Sequence, residues 1–394
     1  MQKERDSRPV LARLTPWLIG AAVLIALFAR IAFLISERGY TAAFFAGALL
    51  QSLQLGSLYA LIALGYTMVY GIIRLINFAH GEVFMVGAFV SYFIFARTPY
   101  ALPWALFAAA LSTFGLMYVV SLWRGRLGDP LVLGTGIISF IALTLILSSS
   151  ALGWIPALVL SMLITGVVGV LLDRVAYRPL RGAPRISLLI TAIAMSFFLQ
   201  NTGVLAFTRN VTAYRPETSW TQSMQFELVG QTVFGTRVVI LVVLLTAALV
   251  VVLTMFVTRT RLGKAMRASA QDPEVAQMMG IDVNRVIATT FLLGSMLAAA
   301  AGVLWGMSYG TLSQPAVMGL LPGIKAFAAA VVGGIGSLPG AVIGGVLLGF
   351  MENFFTALIP GVTQYKDTFA FALLIIVLLI KPSGIVGEDL SEKV

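Results

Sequence analysis

Hydrophobic runs of roughly membrane-spanning length recur along nearly the whole chain, separated by short polar loops. They lie at residues 16–36, 43–64, 83–96, 101–120, 131–150, 154–172, 186–207, 235–257, 286–307, 338–358 and 367–381, with a shorter one at 322–335. A helix needs about 20 apolar residues to cross a bilayer. The pattern predicts an all-α polytopic membrane protein with about 10–12 transmembrane or re-entrant helices. Charged residues make up only 11% of the chain and hydrophobic ones 59%, whereas a soluble domain carries about 25% charged residues.

The remaining composition excludes several kinds of chemistry. With no cysteine, disulfides, thiolate metal sites and a cysteine nucleophile are ruled out. His80 is the single histidine, which argues against a zinc site or a catalytic triad within one chain. Gly263-Lys264 is followed by Ala265 and lacks the preceding glycine of a phosphate-binding loop, so ATP hydrolysis is not expected here. No nucleophile and base come together in the sequence. The expectation is no enzyme chemistry, cofactor or metal on this chain.

The net charge of +10 is spread over short loops rather than gathered on one face. With the N-terminus in the cytoplasm and sides alternating, 17 of the 26 Lys and Arg fall on the cytoplasmic side and 6 on the other. Arg30, Arg74 and Lys325 lie within or between apolar segments. This bias fits the positive-inside rule and puts both termini in the cytoplasm. The run at 16–36 is too long for a signal peptide and has no A-x-A-like site after it, so it is expected to be a retained span. The one long outward loop, 208–234, contains Tyr214 and Trp220; it either contacts an external protein or covers the spans.

Three stretches break the apolar pattern. Thr258 to Arg285 carries Arg259, Arg261, Lys264, Arg267 and Arg285 between two hydrophobic runs. Within it, Asp272-Pro273-Glu274 has the form of a helix start, with Asp as N-cap, Pro at the first position and Glu toward the helix dipole. Gly280 follows where a left-handed stop belongs. The implied helix, 273–279, is too short to persist alone in water, so it is either an ordinary loop turn or a docking element. At 63–82, Arg74, Asn77, His80 and Glu82 interrupt an apolar run, as a cytoplasmic turn or as backbone lining a cavity. At 322–349, Gly336, Gly340 and Gly344 recur at spacing four, as do Gly345 and Gly349, which suits close helix packing. Lys325 and Glu352 are ionisable residues in this apolar region, candidates for the solute pathway or for structural roles.

These stretches also carry a resemblance. LGSLYALIALGYTMVYGIIRLINFAHGEVFMVGAF (55–89), RVAYRPLRGAPRISLLITAIAMSFFLQN (174–201) and TRLGKAMRASAQDPEVAQMMGIDVNRVIATTF (260–291) resemble the LivH-type permeases of branched-chain amino acid ABC transporters. So do GIKAFAAAVVGGIGSLPGAVIGG (323–345) and YKDTFAFALLIIVLLIKPSGIVG (365–387), in the same order. The resemblance implies a permease domain over 41–387, in the bacterial cytoplasmic (inner) membrane. It implies a related LivM-like permease, two cytoplasmic ATP-binding subunits and an external solute-binding protein as partners. It also implies that Asp272, Pro273, Glu274 and Gly280 belong to the loop coupling to the ATPase. The chain departs from the family in an N-terminal extension over 1–40 with one extra span, and in an inserted helical pair around 100–150; 388–394 form a short cytoplasmic tail. Two alternatives stay open: a urea or short-chain amide importer of the same class, and an ion-coupled secondary transporter using Glu82, Lys325 or Glu352.

Overall fold

The computed structural model describes residues 40–95, 130–149, 153–214, 219–228, 231–359 and 361–387, with short helical pieces between 25 and 37 and between 109 and 117. Most of the expected spans at 16–36 and 101–120 therefore lie outside the described residues, as does the tail 388–394. The protein is an all-α polytopic membrane protein. Seven of its described helical segments are long and apolar enough to cross a membrane.

The first long helix, α1 (Ala42–Ile73), starts at Thr41, whose hydroxyl accepts from the Phe44 N–H at 3.2 Å. It continues well beyond the expected end near residue 64 and stops at Arg74, which adopts the left-handed conformation with φ 50°. Only residues 74–79 are then non-helical before α2 (His80–Phe95) begins. Next come α3 (Pro130–Ser149), α4 (Trp154–Leu172) and, after a π turn at Asp173–Tyr177 and a 3-10 turn at Arg178–Leu180, α5 (Arg185–Ala206). The span α6 (Arg237–Arg259) leads into α7 (Arg261–Gln271), α8 (Pro273–Met278) and the long α9 (Val283–Tyr309). The chain closes with α10 (Pro315–Met318), α11 (Leu320–Gly333), α12 (Leu338–Gly349), a π turn at Phe350–Phe354, α13 (Phe355–Leu358) and α14 (Lys366–Ile380).

Helices α1 and α9 form the buried centre, with α2, α4 and α12 packed around them; α5 and α6 are largely exposed. Lipid tails are as apolar as leucine, so helices associate in a membrane by close contact, which small residues permit. The glycines of α12 divide between two partners. Gly340 and Gly344 face Gly333 and Ala329 of α11, whereas Gly345 and Gly349 face Ala60 and Gly56 of α1. Gly336 does not belong to this packing stripe, although its spacing suggested that it did. It precedes α12 in the turn after α11, with φ 100°, a conformation that a side chain disfavours.

Outside the helices, the described residues form two small ribbons, most of whose residues lie in the stretch 208–234 read from the sequence only as a loop. β1 (Thr212–Ala213) pairs antiparallel with β4 (Thr311–Leu312), and β2 (Ser223–Leu228) forms a hairpin with β3 (Gln231–Thr236). Tyr214 is buried beside this ribbon. The Ser91 hydroxyl gives its one proton to the Ala88 carbonyl, so at 2.9 Å Tyr214 is the donor to Ser91. Burial pushes the Tyr214 phenol up from its ordinary value, which keeps that proton in place. The Tyr214 ring also lies against Gly306, so this part of the loop packs on α2 and α9. At the other end of the chain, helical residues 29–37 pack Leu34 against Phe45, Phe354 and Leu358, and Arg30 donates to the Leu358 carbonyl at 3.1 Å.

Candidate functional site

The short helix α8 is built as its residues suggest. Asp272 is extended (φ −152°, ψ 108°), and its carboxylate accepts from the N–H groups of Glu274 at 2.9 Å and Val275 at 3.1 Å. Pro273 occupies the first turn, where no N–H is needed. At the other end, the Gly280 N–H donates to the Gln277 carbonyl and the Ile281 N–H to the Ala276 carbonyl, with Gly280 at φ 82°. This is the Schellman stop, which requires one left-handed residue. The helix ends at Met278, one residue before the expected limit. Only Ala276 is buried; Val275, Met278 and Met279 are exposed, the methionines by 86% and 78%. The helix therefore turns most of its apolar side chains away from the bundle. Replacing Asp272 with alanine leaves two N–H groups uncapped and is expected to weaken α8 by about 1 kcal/mol. Faster amide hydrogen exchange at Glu274 and Val275 in the variant would register it.

Sequence reasoning missed two elements on either side of α8. The first is α7, read only as a basic stretch. Thr260 caps it by accepting from the Gly263 N–H at 2.9 Å, and Gly263, Met266 and Ser269 are buried at intervals of three. That spacing could have been read from the sequence. The second is a polar bridge with no sequence signal. Asp173, buried in the π turn after α4, pairs with Arg181, and Arg181 also donates to Asn284 Oδ1 at 2.5 Å. It ties the 173–184 segment to the first turn of α9, directly after α8.

The other candidate residues form two separate buried clusters. Asn77, His80 and Glu82 are all buried, which excludes a solvated turn. Asn77 Oδ1 accepts from the Tyr177 hydroxyl at 2.6 Å. The His80 ring stands edge-on to Tyr66, against Gly65 of α1. Glu82, in the first turn of α2, receives a long 3.4 Å contact from Ser196 of α5, and its other oxygen lies against Gly319 at the start of α11. The α11 dipole favours an acid there.

Lys325 of α11 and Glu352 of the second π turn are brought together. The Lys325 ammonium lies 2.7 Å from Glu352 Oε1 and 2.6 Å from Asp367 Oδ1 at the start of α14. The Tyr59 hydroxyl of α1 donates to Glu352 Oε2 at 2.8 Å, and Lys366 approaches Oε1 at 3.6 Å. Lys325 therefore does not reach solvent by extending its chain. It joins α11 to the π turn and α14 through paired charge, and the Tyr59 hydroxyl adds α1 through a hydrogen bond to the same carboxylate. Among the described residues no ion pair or hydrogen bond links this cluster to the one around Glu82.

Comparison with known proteins agrees with this architecture. A family model described as branched-chain amino acid transport system / permease component matches residues 48–149 and 127–378. The chain is 41% identical over 359 residues to the high-affinity branched-chain amino acid transport system permease protein BraD of Pseudomonas aeruginosa, covering 88% of this chain and 97% of that one. It is 39% identical over 360 residues to the permease protein LivH of Escherichia coli, covering 89% and 98%. A probable LivH of Methanocaldococcus jannaschii is 28% identical over 341 residues, covering 84% and 90%. No solved structure gives a significant match. With a family model matching most of its length and relatives aligned almost end to end, this chain belongs to the permease components of branched-chain amino acid transport systems.

Proposed function

We propose that this chain forms half of the transmembrane pathway of an ATP-driven importer of branched-chain amino acids. The observation that carries this reading is the end-to-end match to BraD and LivH at about two-fifths identity. In this reading a second, related permease completes the pathway, and an external binding protein delivers the amino acid. Two cytoplasmic ATPase subunits drive it, and α8 fits into a groove on one of them. Its exposed Val275, Met278 and Met279 supply the apolar contact, and the Asp173–Arg181–Asn284 bridge braces the turn behind it. Closure of the ATPases moves α8, and α9, starting five residues after α8, carries the motion into the buried centre. ATP can drive transport this way only if its binding favours one transmembrane arrangement over the other.

The test is uptake of labelled leucine and labelled urea by cells with and without the gene, with ATP depleted as a control. Loss of ATP-dependent leucine uptake alone is the expected result. Loss of urea uptake alone would move the substrate to the amide class, and gene-dependent uptake surviving ATP depletion would remove the ATPase partners. Coupling has its own check. A Gly280→Val variant puts a β-branched side chain at φ 82° and distorts the end of α8. Transport and substrate-stimulated ATP hydrolysis are both expected to fall at least about tenfold, since lost coupling of 1.4 kcal/mol already gives that factor, while membrane insertion stays normal.

A further inference from the structure

Helix α7 presents two opposite faces. Gly263, Met266 and Ser269 are buried in the bundle, whereas Arg261, Lys264 and Arg267, at the same interval of three, are exposed. At 100° per residue these three cations fall within about 120° of one another, so they make a single face. Arg259, the last residue of α6, is exposed directly before them, and residues 259–271 contain no acid. The nearest acids in sequence, Asp272 and Glu274, belong to the cap and first turn of α8.

We infer that this face binds the anionic phospholipid headgroups of the adjoining leaflet. The span α6 ends at Arg259 and α7 begins at Arg261, so the cations start where the span leaves the hydrocarbon. Eleven residues of helix reach only about 16 Å. With its other face packed on α1, α6 and α9, α7 stays close to that exit, where an anionic leaflet attracts each Lys or Arg by about fivefold in affinity. The neighbouring α8 has the opposite character, with apolar side chains exposed and no basic residue. The protein-docking surface and the lipid-binding surface are thus separate, and anchoring α7 sets the height at which α8 is held.

The chain has no cysteine, so Gln271→Cys, at the exposed end of α7, accepts a single fluorophore. The labelled full-length chain is placed in bilayers of phosphatidylglycerol and phosphatidylcholine in equal parts, with one lipid or the other brominated as quencher. The expected result is severalfold stronger quenching by the brominated anionic lipid, reduced by salt. The ratio should fall to one when Arg261, Lys264 and Arg267 are all changed to Gln, and persist when both arginines are changed to Lys. Circular dichroism checks that the Gln variant keeps its helix content. Equal quenching by the two lipids in the unmodified stripe would overturn the inference. So would shielding of the fluorophore that appears only when ATPase subunits are added, whatever the lipid, since that result assigns the stripe to a protein partner.

Discussion

An alanine in place of Lys325 is expected to lower the stability of the folded protein by about 3–5 kcal/mol. The ammonium of Lys325 stands between two carboxylates, Glu352 at 2.7 Å and Asp367 at 2.6 Å. Asp367 is 44% exposed and can turn to water, but Glu352 is 2% exposed and cannot. Without Lys325 it keeps the Tyr59 hydroxyl and the half-exposed Lys366 at 3.6 Å, too little to replace a buried counter-charge. Taking away both charges, as in Lys325→Met with Glu352→Gln, is expected to restore most of the loss, because the cost comes from the charge left alone. Unfolding of the purified chain in mixed micelles, followed by tryptophan fluorescence, measures both variants. A single-variant loss below about 1 kcal/mol, the range of exposed ion pairs, would mean that water reaches the network.

The second large effect is expected at the crossing of α1 and α12. A Cβ at Gly345 would lie 2.5 Å from the Ala60 nitrogen and 2.6 Å from its Cα. Both obstacles are backbone, so no side chain can swing away and the helices must separate. Gly345→Val is expected to cost about 3 kcal/mol, the upper end for overpacking. Gly349 lies against Gly56 of the same helix, so the two positions should not act independently. Gly134 of α3 has open space around it, and Gly134→Val should stay within about 1 kcal/mol of the parent. The same unfolding assay compares them. Similar losses at both positions would show that the valine acts through helix propensity and not through the crossing.

Local signals were legible wherever they act over a few residues. The cap and stop of α8 appear in the order Asp272, Pro273, Gly280 because N-capping and the left-handed stop are chemistry of neighbouring residues. The limits of α4 at 154–172 follow from the length of an apolar run. The end of α1 was not legible in this way. Residues 65–73 look like the beginning of a break because polar residues follow, yet Tyr66, Thr67 and Met68 are buried and keep the helix going. The polar residues of 74–82 were visible, but not that Asn77 waits for Tyr177, a hundred residues away.

By itself the sequence determined the class: apolar runs of bilayer length, charge placed mostly in the loops between them, and a capped helix between two spans. Each of these follows from composition or from contacts within a turn. Only the tertiary structure decided which glycines meet which helix, that Gly336 is a turn and not a packing position, and that Lys325 and Glu352 are partners. It also decided that Asp173, Arg181 and Asn284 tie the 173–184 segment to the first turn of α9. In a membrane the hydrophobic pattern says that a helix is buried in lipid or protein but not which, because both are apolar. Pairing is left to small residues and a few polar groups, and their partners lie far along the chain.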